Sequence, residues 1–295
     1  MKDIYVAVNG SDGGKGTIDN PFRTLEKARD YACEFMSEEN GININLRTGC
    51  YELESTFEIL KEHMGSENCP IHYRAYNEEE VIISGGKTLD ARKFRKVSDE
   101  AILERLPEEA RPFVFCYDLK EDGLYDYGVK KNRGFALDIV PADMELFIDS
   151  KAMEVAGWPN HGRRVQVGEV LSSARLGELD IGKELLNPVN PGQYKKYDLS
   201  DYKGGVIKYD YERADGWGKA KDAFAFGYMG WGFSDNNFPI EFIDTENKTI
   251  HFKSPSVTGI SNHAYYNTYR VYNLLEEIDV PGEYYIDKEA GLLYL

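Results

Sequence analysis

Between Ile42 and Gly86 the chain passes through ININLRTG, CYEL, FEIL, IHYRAY and VIISGG, short segments of strand-forming residues separated by turns. No helix lies between them, so no βαβ crossover can be built. The spacing gives one coil about every 20–30 residues, within the range of repeat architectures. That is the pattern of the first rungs of a parallel β-helix. Gly49, in RTGCYEL, stands at the corner where such a coil must bend.

The segment before these strands, VNGSDGGKGTIDNPFRTLEKA (8–28), looks at first like a phosphate-binding loop. The register fails. Lys15 follows Gly10 by five residues, but the residue after Lys15 is Gly16, and Pro21-Phe22 intervenes before the helix. An EF-hand loop fails as well, lacking its terminal bidentate Glu. In FRTLEKARDYACEFM, Leu25, Ala28, Ala32 and Phe35/Met36 recur at helical spacing, with Thr24 as N-cap and Glu26 favourably placed near the helix dipole. The reading is a strand, IYVAVNG, a glycine-rich turn and an amphipathic helix that covers the apolar end of the first coil. Asn40-Gly41 marks the following turn.

After residue 97 the pattern changes. SDEAILERLPEEAR (98–111) reads as a charged helix or linker. From 112 onward FVFCYDL, MELFIDSKAMEVAGWP, RVQVGEVL, GVIKYDYE, FAFGYMGW, IEFIDTENKTIHFK, AYYNTYRVYNLL and EYYIDKEAGLLYL alternate apolar and polar residues. DTENKT and DKEAG read as hairpin turns, and the whole as an antiparallel β-sandwich. Residues 172–203 read as a long loop. The terminal GLLYL is an apolar strand that needs a neighbour; left at an edge it invites aggregation. The expectation is that this chain is the front part of a longer protein, or else that the strand pairs within the sandwich.

The 295 residues suffice for one large domain or two ordinary ones, and 42% hydrophobic content supports a sizeable core. The net charge of −16 repels phosphate backbones and anionic membranes, and the basic cluster VKKNRG (129–134) is too short and isolated for nucleic acid. No apolar run approaches a transmembrane length and the N-terminus has no signal-peptide h-region. Cys33, Cys50, Cys69 and Cys116 lack zinc or CxxC spacing and read as reduced, buried thiols, which with the missing leader suggests a cytoplasmic protein. The five histidines show no HxH or HExxH spacing, so neither a metal nor a cofactor is expected. GISNH lacks the glycines of a nucleophile elbow at Ser261.

Three stretches together resemble one family. IYVAVNGSDGGKGTIDNPFRTLEKARD resembles the opening of right-handed parallel β-helix proteins of the pectate-lyase-like superfamily. INLRTGCYEL and IHYRAYNEEEVIISGG look like their first coils. AGWPN and NLLEEIDVPGEYYIDKEAGLLYL resemble the β-sandwich inserted in its glycoside-hydrolase branch, of the β-xylosidase and fucosidase/xylanase type. The resemblance implies an all-β fold: residues 1–97 as N-terminal capping helix and first coils, 98–111 as linker, 112–295 as the inserted sandwich. It also implies that the catalytic carboxylates lie on later coils, so no catalytic residue is carried over.

Glycosidases use two carboxylates, about 5–10 Å apart. Asp235, Glu241, Glu276, Glu277 and Asp279 are the carboxylates in rigid or aromatic surroundings, Glu276 and Glu277 facing different sides of one turn. Trp158 and Trp231 stand beside Asn160, His161 and Asp235, where an indole can stack on a sugar ring while amides and carboxylates take its hydroxyls. Each has a structural alternative: a core tryptophan, a capped hairpin, a salt bridge at a junction. Trp217, in DGWGKAKD, reads as an exposed loop. The expected substrate contacts are therefore Trp158, Asn160, His161, Trp231 and Asp235, and the expected partner an oligo- or polysaccharide. Homo-oligomerisation stays open. A polysaccharide lyase, needing Ca²⁺ and a base, and a non-catalytic glycan-binding module are the alternatives.

Overall fold

A computed structural model describes residues 1–36, 41–134, 143–175 and 203–295. The chain is all-β, with two short α-helices among the described residues, and divides into two compact units, 1–89 and 90–295.

In the first unit, β1 (Lys2–Val6), β2 (Ile42–Leu46) and β4 (Ile71–Ala75) pair in parallel, Lys2 with Ile42 and Ile42 with Ile71. A second parallel ladder joins β3 (Gly49–Glu52) to β5 (Val81–Ser84), Gly49 opposite Val81. The chain thus returns to the same two ladders after about 30 residues, the coil length the turn spacing predicts. Alternation puts Ile4, Val6, Ile42, Ile44 and Leu46 into one core. On the opposite face Asn43 and Asn45 are buried, and both amides donate to Asp3 Oδ1, at 2.9 and 3.0 Å. These bonds hold the Asp3 carboxyl below the usual range. FEIL (57–60) forms no strand; Phe57 instead packs edge-on against Tyr73 and fills the core's side.

α1 (Leu25–Ala32) buries Leu25, Ala28 and Ala32 against this core and continues as a 3-10 turn, Cys33–Phe35. The glycine-rich turn is tied to its start. Asp12 Oδ1 accepts the Arg23 and Thr24 amides, both at 2.9 Å, and Asp12 Oδ2 accepts the Thr24 hydroxyl at 3.0 Å. Thr24 Oγ1 in turn accepts the Lys27 amide, which makes it the N-cap. Gly16 has φ +69° and lies against the Phe22 ring, so a side chain there would meet both a backbone and a packing penalty. Burial alone would push the Asp12 carboxyl up, but the Thr24 and Arg23 amides and the Thr24 hydroxyl bring it below its ordinary value. Asp12→Ala is expected to cost about 1–2 kcal/mol, read as a lowered urea midpoint; an unchanged midpoint refutes the clasp.

The second unit contains α2 (Glu100–Arg105), β6 (Arg95–Lys96), β7 (Phe115–Asp118), β8 (Arg133–Gly134), β9 (Phe147–Ile148), β10 (Lys151–Ala152), β11 (Glu154–Val155), β12 (Gly157–Trp158), β13 (Val165–Gln166) and β14 (Val170–Ser172). It continues with β15 (Val206–Lys208), β16 (Phe224–Gly227), β17 (Asn236–Asp244), β18 (Thr249–Phe252), β19 (Thr268–Tyr272), β20 (Glu283–Asp287) and β21 (Leu292–Tyr294). Among the described residues a nine-stranded sheet runs β12-β19-β16-β17-β18-β15-β14, with β13 on β19 and β8 on β17. β17 breaks register between Ile240 and Phe242. Its two halves carry different partners, and side chains from both, Ala225, Phe238 and Val271 with Ile207, Ile250 and Phe252, share one core. The hairpin turns fall where the sequence puts them. Asp244 Oδ1 accepts the Glu246 and Asn247 amides, and Asp287 Oδ1 those of Glu289 and Ala290.

Three expectations are refined by the structure. Of the two readings of residues 98–111 the helix is the one seen, as α2: Ile102, Leu103, Leu106 and Ala110 pack with Val114, Leu275 and Tyr285, and the compact units divide at 89/90 rather than at 97/98. Of the two expectations for the terminal strand, pairing within the chain is the one seen. β21 lies between β20 and β7 in a five-stranded sheet, β11-β20-β21-β7-β6, and Leu295 exchanges backbone bonds with Phe115. Of the four free thiols Cys69 is buried, Cys33 and Cys116 are half-buried and Cys50 is exposed, because its β3 position faces outward. The loop expected over 172–203 lies, at 176–202, outside the described residues, as does Asn40. Among the described residues no helix is long and apolar enough to cross a membrane.

Candidate functional site

The sequence candidates fall into two groups within the second unit. The first centres on Arg213, in a 3-10 run over Glu212–Lys219. Its guanidinium donates through Nε to both oxygens of Glu277, at 2.9 and 3.0 Å, and through the second terminal nitrogen to Glu277 Oε2 at 2.8 Å and to Asp279. Trp217 Nε1 donates to Glu277 Oε1 at 2.5 Å. Asn160 Nδ2 donates to Asp279 Oδ1 at 2.8 Å, while its own Oδ1 is buried with no hydrogen-bond partner among the described residues. Trp158, at the end of β12, rests on Tyr211 and Trp217, with ring centroids 4.5 and 6.0 Å apart. Tyr211 and Tyr269 share a hydroxyl hydrogen bond at 2.7 Å, and burial pushes both phenols up.

This arrangement corrects the reading of Trp217. It is 1% exposed, because its polar-looking segment turns inward to meet a carboxylate sixty residues later. Glu276 and Glu277 do face different sides of a 3-10 turn, Leu275–Glu277, and Glu276 binds Arg105 Nε at 2.8 Å. Burial pushes the Glu277 carboxyl up, opposed by its bonds to Arg213 and Trp217. These carboxylates are spoken for by cations: the arrangement orients Trp158 and Asn160 rather than offering a free acid and base. Glu241 faces solvent on β17. His161 follows in an exposed left-handed turn, φ 58°.

The second group is an aromatic surface on the loops after β16 and before β19. Trp231 and Phe233 are exposed with centroids 5.6 Å apart, and the Arg175 guanidinium lies 5.5 Å from the Trp231 ring centre. Asp235, half-buried, leads into β17. Among the described residues no hydrogen bond or ring contact joins Trp158 and Asn160 to Trp231 and Asp235, and no group of three His, Cys, Asp or Glu could hold a metal ion.

No protein-family model matches the chain. It is 28% identical to Pectate lyase PEL9 of Emericella nidulans over 83% of this chain and 72% of that protein. A solved glycoside hydrolase superposes on all of it with a TM-score of 0.65, at 18% identity. The chain has a pectate-lyase-like, glycoside-hydrolase-like fold. It spans 43% of that hydrolase. It also matches an uncharacterized Bacillus subtilis protein, YwoF, at 36% identity over 88 residues, 30% of this chain and 17% of YwoF.

Within this pectate-lyase-like fold, sequence reading passed over Arg213, Tyr211, Tyr265 and Tyr266. The signal for the last two is plain in retrospect. In HAYYN two adjacent tyrosines cannot both point inward from a turn, so one at least must face solvent.

Proposed function

We propose that this chain is the N-terminal portion of a carbohydrate-active enzyme, a glycoside hydrolase working by two carboxylates. In this reading the two parallel ladders are the first coils of a right-handed parallel β-helix, with α1 as their cap. Residues 112–295 form the inserted β-sandwich, which walls the substrate cleft with Trp158, Asn160, His161, Trp231 and Asp235. The catalytic pair then lies on coils outside this sequence. The observation that carries the reading is the pair of in-register parallel ladders in a chain whose whole length superposes on less than half of a glycoside hydrolase. The engagement of Glu276, Glu277 and Asp279 by arginines supports it, since none is free to serve as nucleophile or acid.

A second reading, a polysaccharide lyase, has the relative named as a pectate lyase in its favour. One experiment separates them. The product of the longer reading frame is assayed on aryl xylosides and fucosides, and on polygalacturonate with and without Ca²⁺. Release of the aryl alcohol supports the hydrolase. Calcium-dependent ultraviolet absorbance from unsaturated uronate supports the lyase and overturns it. The 295-residue chain alone is expected to be inactive on the aryl glycosides; turnover well above background by verified protein would place the catalytic pair within it.

A further inference from the structure

Loops 228–234 and 258–267 are locked to one another by a buried amide. Asn267, fully buried, donates through Nδ2 to the Tyr228 and Gly230 carbonyls, at 2.8 and 2.6 Å. Its Oδ1 accepts the Ser261 hydroxyl at 2.7 Å and the His263 amide at 2.8 Å. Ser261 Oγ also reaches the Gly230 carbonyl, at 3.1 Å. A Cβ on Gly232 would stand 2.9 Å from the Tyr266 ring, so the tip of the first loop lies directly against the second. Tyr266 is stacked on His263 at 4.3 Å and 12°.

Rigid loops held this way have no need to expose aromatic rings, yet Trp231 is 41%, Phe233 67% and Tyr265 90% exposed. Trp231 and Phe233 lie together on the first loop and Tyr265 stands on the loop braced against it, and exposed aromatic rings on a well-braced surface mark an interaction site. We propose that these two loops form a preformed aromatic platform that stacks against the ring faces of an uncharged oligosaccharide. The proposal rests on the carbohydrate-active reading above and narrows its substrate class. Flat, amphipathic rings with few rotatable bonds suit the C–H faces of pyranoses at little ordering cost. The Arg175 guanidinium lies over one face of the Trp231 ring, leaving the opposite face for a sugar, and with the His263 imidazole beside Tyr265 it supplies donors for hydroxyls. A chain carrying −16 repels a polyuronate at long range, which leaves neutral chains as the fitting partner.

The test is affinity electrophoresis of the 295-residue chain in gels containing soluble arabinoxylan, xyloglucan or galactomannan, with polygalacturonate alongside. At least one neutral polymer is expected to retard the protein. Trp231→Ala is expected to weaken that retardation at least tenfold in apparent Kd and Tyr265→Ala severalfold, with circular dichroism and melting unchanged. Because Trp231 is the most exposed of the three tryptophans, binding is also expected to perturb tryptophan emission, and Trp231→Phe to abolish the change. The proposal is overturned if no neutral polymer retards the chain, if Trp231→Ala is retarded equally, or if polygalacturonate is the preferred polymer. It is equally overturned by a dimer that Trp231→Ala dissolves in the absence of any retardation. Binding by this chain with no glycoside turnover by the longer protein refutes the enzyme reading and leaves the platform standing. Turnover without binding refutes the platform alone.

Discussion

Replacing Arg213 by methionine is expected to cost the second unit about 3–5 kcal/mol. The reason is the carboxylate it abandons. The Glu277 side chain is 1% exposed and takes three of its four close bonds from this guanidinium. Without it, a buried charge keeps only the Trp217 indole, and Asp279 keeps only Asn160 among its side-chain donors. The loss is pH-dependent. Burial already raises the Glu277 carboxyl, and removing the cation raises it further, so the variant's deficit is larger at pH 8 than at pH 5 and shrinks as acid protonates Glu277. Urea midpoints of wild type and variant at pH 5 and pH 8 check both statements. A second substitution, Glu277→Leu in the Arg213→Met background, is expected to recover part of the loss, because an apolar side chain needs no counter-charge. A single variant within 1 kcal/mol of wild type would show that the cluster is solvated. The consequence for function is positional: the same cluster fixes Asn160 and the ring stack under Trp158.

What could be read from sequence and what could not divides along chain separation. The parallel ladders were legible because their cause is local: alternation in ININL and IHYRA decides which side chains face the core, and Gly49 and the Asn77 region supply the bends. The hairpin turns were legible for the same reason, since Asp244 and Asp287 cap amides two and three residues on. Trp217 was not, because its burial depends on an acceptor sixty residues away that its own polar neighbours do not advertise. Nor was the central place of β21, which is set by β7, more than 170 residues earlier. FEIL has a strand's composition but meets no partner edge, and a pattern without a partner makes no sheet. At the site, attention to tryptophans found Trp158 and Trp231 but missed the cation between Glu277 and Asp279, since nothing in DYERADGW distinguishes Arg213 from a solvated arginine.

Glu283 offers a sharper test of the same interior. It opens β20, is 2% exposed, and its Oε2 accepts the Asp279 and Val280 amides at 3.1 and 3.3 Å, while Oε1 has no hydrogen-bond partner among the described residues. Burial, helped by the nearby Asp279 charge, pushes its carboxyl up to about 7, against an ordinary value of 4.5, even though the Asp279 and Val280 amides and, more weakly, that of Gly157 favour the charged form. An acid raised on folding makes the native state bind more protons than the unfolded chain between those two values, so stability falls as pH rises through that window. The burial cost is absent below about pH 4.5 and full above about pH 7, reaching about 3 kcal/mol. Glu283→Gln keeps an oxygen for the two amides and carries no charge. It is therefore expected to match wild type near pH 4.5 and to exceed it by up to about 3 kcal/mol at pH 8, measured as the difference in urea midpoints at constant ionic strength. Other titrating groups are common to both proteins and cancel in that difference. A gap that stays constant across the range would mean that Glu283 is ionised throughout, with its second oxygen hydrated. A gap that widens with pH identifies a strand whose stability is set by the ionisation of one buried carboxyl, which accepts the backbone amide of Asp279, the residue whose carboxylate Arg213 engages.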